Sequence, residues 1–123
     1  MESDAGVSRM LADVFSDRSW QVDVCLDGEC ASRAITGDRH YDILIVSYRV
    51  PGSSGILLAQ LARSLSHRSL TPVVMITGSG DVEREALSAG VNEVWHKPLE
   101  LFAFLATIEK YIRVAACHGC EQF

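Results

Sequence analysis

The chain has 123 residues, 48% of them hydrophobic and 22% charged, a balance that suits one globular domain with an apolar core. Eleven Lys and Arg against sixteen Asp and Glu give a net charge of −5, which argues against direct binding to nucleic acid or to an anionic membrane. No apolar run approaches the ~20 residues of a membrane span and no basic leader opens the chain, so the expected setting is the cytoplasm.

Taken in chain order, Val7, Met10, Leu11, Val14 and Phe15 recur at helical spacing behind Ser3 or Asp4 as N-cap, predicting a helix over residues 4–16. Residues 20–26 alternate as a strand, and Asp27-Gly28 turns the chain into a short helix ending at Ile35. Residues 42–46 form a near-continuous apolar strand, of the kind buried on both faces. Then follow a helix over 55–65, a strand over 72–77, a helix over 81–89, a strand over 91–96 and a last helix over 99–115. Strict alternation of strand and helix predicts a parallel α/β sheet.

Three of these strands run into residues that carry chemistry. The strand of 42–46 continues into Ser47 and the turn Val50-Pro51-Gly52-Ser53-Ser54-Gly55, the next ends on Thr77-Gly78, and the last ends on Trp95-His96-Lys97-Pro98. In a doubly wound sheet the carboxyl ends of the strands line the ligand crevice, so Ser47, Thr77 and Lys97 are expected to converge. The strand-end threonine, the Lys-Pro pair, the x-Pro-Gly-x-x-Gly turn and Gly90 together resemble the receiver domain of response regulators, over roughly residues 2–114. The resemblance implies a flavodoxin-like doubly wound parallel sheet. It also implies that the position of Ser47 is where an aspartate accepts phosphate from a histidine kinase. Thr77 and Lys97 match the hydroxyl and ammonium that hold phosphate oxygens in that family, and Trp95 takes the place of a smaller switch aromatic.

Two departures from the family pattern bear on function. Ser3 and Asp4 align with its acidic pair, so that with Ser47 only Asp4 keeps a charge in the pocket where the family holds magnesium. Magnesium demands near-octahedral oxygen ligation with at least one or two carboxylates, and its binding is expected to be weak or absent, with no other cofactor. A serine hydroxyl is a poor nucleophile without an adjacent base, and His40 and His96 are the nearby candidates. Lys97 is expected to lean on Asp4, forming with Thr77 a structural polar cluster; the alternative is a site for an anion. The second departure is that no apolar run precedes Glu2, so the family's first strand is expected to be missing from the given chain. Residues 20–26 pairing directly with 42–46, a strand lent by another chain, or residues upstream in the natural gene product would each close the gap. An unfilled sheet position favours self-association.

Partner surfaces are read from misplaced apolar residues. Leu101, Phe104, Leu105 and Ile108 make a core stripe that leaves Phe102 outward, and Leu57 stands opposite the apolar face of its own helix. Phe102, Trp95 and Tyr111 compose a candidate pairing face for a protein partner or a homodimer. Residues 117–123 are expected as a tail beyond a domain of residues 1–116. In it Cys117, His118 and Cys120 offer up to three zinc ligands without a fourth, and a frayed polar terminus is the expectation there. The four cysteines are expected as reduced thiols, with no second pair evident from Cys25 and Cys30. The sequence therefore reads as a non-enzymatic pseudo-receiver, a protein-interaction module of two-component signalling. Its alternatives are phosphotransfer through Ser47 and a metal or thiol sensor built on Cys117 and Cys120.

Overall fold

Val73-Val74-Met75-Ile76-Thr77 is a near-continuous apolar run, and in the computed structural model it forms a strand whose five residues are all buried. That model describes residues 13–15, 17–18, 20–78 and 80–121, with side chains as far as Ile112. In chain order the elements are helix α1 (Gly28–Thr36), strand β1 (Leu44–Ser47), the short strands β2 (Arg49–Val50) and β3 (Ser53–Ser54), and helix α2 (Gly55–Ser64). Strand β4 (Val73–Thr77), helix α3 (Glu83–Ser88), strand β5 (Glu93–His96) and helix α4 (Leu101–Glu121) complete them.

The main sheet among the described residues has the order β1-β4-β5, with both ladders parallel. Side chains alternate across it. Val73 and Met75 of β4 enter one core with Ala31, Ile35, Leu58, Ala59, Ala62 and Ala86. Val74 and Ile76 enter the other with Phe15, Phe104, Leu105 and Ile108. Thus α1, α2 and α3 cover one face and α4 the other, as a doubly wound sheet requires, and full burial of β4 follows from its central place.

Residues 20–26 depart from expectation. They form no strand, and the only ladder of β1 among the described residues is with β4, so this segment does not pair with β1 either. Alternation of side chains reports that a segment has two faces; a ladder also needs a neighbouring backbone. Side chains hold the segment instead. Trp20 packs on Phe15 with ring centroids 5.4 Å apart, and Asp23 accepts a 2.7 Å hydrogen bond from Tyr41 Oη and pairs with Arg39 at 3.2 Å. Burial and the bond to Asp23 raise the hydroxyl pKa of Tyr41. Of the helix expected over 4–16, residues 13–15 are helical and 4–12 and 16 lie outside the described residues. The last helix runs on to Glu121, through Cys117, His118 and Cys120, where a frayed tail was expected.

Two arginines fasten the loops at the amino-terminal edge of the sheet. Arg68 is buried, at 1% exposure, with no carboxylate among its hydrogen-bond partners. Its guanidinium donates to the carbonyls of Ala34, Ile35, Gly37 and Arg39 at the end of α1 and lies 4.9 Å from the Tyr41 ring centroid. Carbonyls at a helix C-terminus carry partial negative charge, which makes this a fitting place for a cation. Arg63 reaches the carbonyls of Arg68, Ser69, Thr71 and Gly90 and, at 2.8 Å, Asn92 Oδ1; burial lowers its pKa. Asn92 Oδ1 also accepts from the Val73 amide at 2.9 Å.

Candidate functional site

Ser47 ends β1 with 5% of its surface exposed. Beyond it the chain is fixed by backbone bonds: Tyr48 N–H donates to Ile76 O at 2.9 Å and Gly55 N–H to Tyr48 O at 3.0 Å. Gly52 takes a φ of +78° to close the β2–β3 hairpin, and Gly55 starts α2 so close to Ser47 that any Cβ there would overlap the Ser47 carbonyl. Ser54 caps α2 through a 3.2 Å bond from Leu57 N–H. Tyr48, Arg49, Val50, Pro51, Ser53 and Ser54 line an open hollow of about 530 Å³ beside this turn.

Thr77 ends the neighbouring strand, 2% exposed, one register step beyond the Ser47–Ile76 pairing. Lys97 follows β5, and its N–H donates to Thr77 O at 2.8 Å. Ser47, Thr77 and Lys97 therefore share the carboxyl edge of the sheet, as predicted, and the Lys97-Pro98 peptide is cis. Ser3 and Asp4 lie outside the described residues, so the pairing of Lys97 with Asp4 does too. Among the described residues, no three His, Cys, Asp or Glu side chains are grouped so as to hold a metal ion.

Neither histidine proposed as a base stands next to Ser47. His40 hydrogen-bonds Asp42 Oδ1 at 2.9 Å and lies before β1, whose far end is Ser47, so the length of that strand, about 10 Å, stands between them. His96 ends β5, faces Glu83 Oε1 at 3.8 Å, and is two strand spacings, about 10 Å, away from β1. A base must lie within hydrogen-bond reach of the proton it removes.

The candidate partner residues divide. Phe102 is 77% and Leu57 56% exposed, but Phe102 rides on α4 and Leu57 on α2, which cover opposite faces of the sheet. Trp95 turns inward, its ring edge-on to Phe104 with centroids 5.4 Å apart. Its Nε1 is buried with no hydrogen-bond partner among the described residues. Tyr111 Oη donates to Glu93 Oε2 at 3.0 Å; burial first and this bond second push its pKa up to about 12. Cys117, His118 and Cys120 lie in the last turns of α4, with side chains outside the described residues.

One feature had no signal in the spacing. Cys25 and Cys30, expected as separate reduced thiols, are paired as a disulfide with Cα atoms 5.5 Å apart, because the N-cap turn at Asp27 folds the start of α1 back beside residue 25.

Comparison with known proteins places this geometry. The model of the response regulator receiver domain matches residues 1–109. The chain belongs to that family. The receiver is 26% identical over 120 residues to the phosphate regulon transcriptional regulatory protein PhoB of Pseudomonas aeruginosa, covering 92% of this chain and 50% of that protein. It thus spans half the length of that relative. A putative response regulator from Chloroflexus aurantiacus superposes with a TM-score of 0.83 at 25% identity, over 92% of this chain and 93% of the other. The receiver domain of the sensor histidine kinase PA1611 from Pseudomonas aeruginosa, with magnesium in its active-site cleft, gives 0.77 at 20% identity over 89% and 92%. The flavodoxin-like parallel α/β fold expected from the sequence is thereby established. Receivers are non-enzymatic modules of two-component signalling that act through partner proteins such as kinases and effectors, and this chain is one of them. No helix of the described residues is long and apolar enough to cross a membrane.

Proposed function

We propose that this receiver is a pseudo-receiver, a cytoplasmic module that signals by protein contact without accepting phosphate. The observation that carries the reading is Ser47, which stands at the end of β1 where the family's aspartate would be. An acyl phosphate forms on a carboxylate, and a hydroxyl with neither His40 nor His96 in reach is too weak a nucleophile to substitute for it. The residues present do not fit magnesium: the strand ends offer the hydroxyls of Ser47 and Thr77 and the ammonium of Lys97, while the hard cation wants carboxylates. Thr77, Lys97 and Asp4 then serve as a polar cluster that supports the fold. The exposed Phe102 on α4 supplies the partner contact, to another protein or to a second copy.

Intact-mass measurement after incubation with acetyl phosphate and magnesium tests this. The expected result is an unchanged mass, for the native chain and for Ser47→Asp alone, with uptake in Ser47→Asp combined with Ser3→Asp. A gain of one phosphate by the native chain overturns the reading.

A further inference from the structure

Cys25 and Cys30 flank the turn that starts α1, and no role in the receiver reading uses them. Their Cα separation of 5.5 Å lies within the roughly 4.4–6.8 Å that a disulfide spans without backbone movement. The turn is held by bonds that do not involve sulfur: Asp27 Oδ1 accepts from Cys30 N–H at 2.8 Å, and Gly28 N–H donates to Pro51 O at 2.8 Å. The Cys30 side of the pair is therefore held in place by bonds that do not involve sulfur. Cys25 is buried at 5% exposure, whereas Cys30 is half-buried in the first turn of α1, where the partial positive charge of the helix terminus favours a sulfur anion. Dithiol exchange starts at the more accessible thiol, here Cys30, and closes on a second thiol within reach. The bridge spans a sequence separation of only 5, so it restrains the unfolded chain less than a bridge over a long loop would.

The segment that this bridge fastens has few other ties. Residues 20–26 enter no ladder among the described residues, and Val22, Val24 and Leu26 are 36%, 46% and 47% exposed. We infer that Cys25 and Cys30 are a reversible oxidation site, a latch that exchanges with low-molecular-weight disulfides of the glutathione class. In the closing direction the Cys30 thiolate attacks one sulfur of the small disulfide, which releases one small thiolate and leaves a mixed disulfide on Cys30. Cys25 loses its proton to solvent and attacks the Cys30 sulfur, forming the internal bond and expelling the second small thiolate. The protein gives up two electrons and two protons, and the small disulfide becomes two thiols. Opening is the reverse. The closed latch holds residues 20–26 against the start of α1, next to the Pro51 turn that rims the hollow beyond Ser47.

The test uses the full chain carrying Cys117→Ser and Cys120→Ser, equilibrated across ratios of oxidised to reduced glutathione, then alkylated and weighed. Both remaining thiols should disappear together into one internal bond, and excess reduced glutathione should restore both. Hydrogen exchange at residues 20–26 should slow several-fold on closure. Thiols that stay alkylatable in excess oxidised glutathione, mixed disulfides that never close, a bond that resists excess reduced glutathione, or equal exchange in the two states each overturn the latch. Phosphate uptake registers as a separate mass gain, so failure here and failure of the pseudo-receiver reading are told apart.

Discussion

Arg68 sits in Ser66-His67-Arg68-Ser69, a run that reads as exposed loop, yet its guanidinium is among the most buried groups in the molecule. Replacing it with Met would take the Arg68 donor from four carbonyls, of which Gly37 O is also within 2.9 Å of His67 Nε2. Unsatisfied buried acceptors cost about 1–3 kcal/mol each, so Arg68→Met should lower unfolding free energy by roughly 3 kcal/mol or more in a urea titration. Arg68→Lys should recover little, because an ammonium cannot reproduce the planar fork. The Arg33–Glu29 pair is short at 2.7 Å but 74% and 78% exposed, and Glu29→Gln should move the same titration by less than about 0.5 kcal/mol. Tyr111 sets an alkaline limit. Its pKa is raised from 10.0 to about 12 in the fold, so the stability it contributes is fully present below pH 10 and is lost as pH climbs from 10 to 12. Tyr111→Phe should flatten that part of a stability-against-pH curve.

At the scale of elements, the side chain of Asp27 caps α1 through the Cys30 amide, and Asp27→Ala should cost about 1 kcal/mol in thermal or urea unfolding. The elements most legible in the sequence were those whose cause is local. The apolar run of β4, the Pro51-Gly52 turn and the stripe of Phe104, Leu105 and Ile108 fell where expected because burial and turn chemistry are written in residue type. Residues 20–26 misled because alternation carries no information about a neighbour. Arg63 and Arg68 gave no signal, since their partners are carbonyls distant in sequence, and the Cys25–Cys30 pairing depended on how tightly the turn at Asp27 closes. For the candidate site, the shared edge of Ser47, Thr77 and Lys97 was legible from strand ends. The distance of His40 and His96 from Ser47 was not, because only the strand order reveals it.

At the scale of the whole molecule, the large apolar side chains left outside among the described residues are scattered, with Leu70 at 92%, Phe102 at 77%, Leu57 at 56% and Leu87 at 53% exposure. If α4 mediates contact between copies, light scattering at high concentration should show dimers or larger species, and Phe102→Glu should return the chain to monomer. A native chain that stays monomeric would move the partner role of Phe102 to another protein.

The Arg68 fastening also bears on how the molecule is assembled in time. Its hydrogen bonds join residues 29 to 34 positions apart, and their acceptors point together only after α1 has ended and the chain has turned past Gly37. If these contacts are absent from the folding transition state, their loss speeds unfolding while leaving the refolding rate nearly unchanged. The unfolding limb of a chevron plot for Arg68→Met should therefore rise and its folding limb should overlay that of the native chain. The arginine that no local pattern announces would then govern how long the domain stays folded rather than how quickly it gets there.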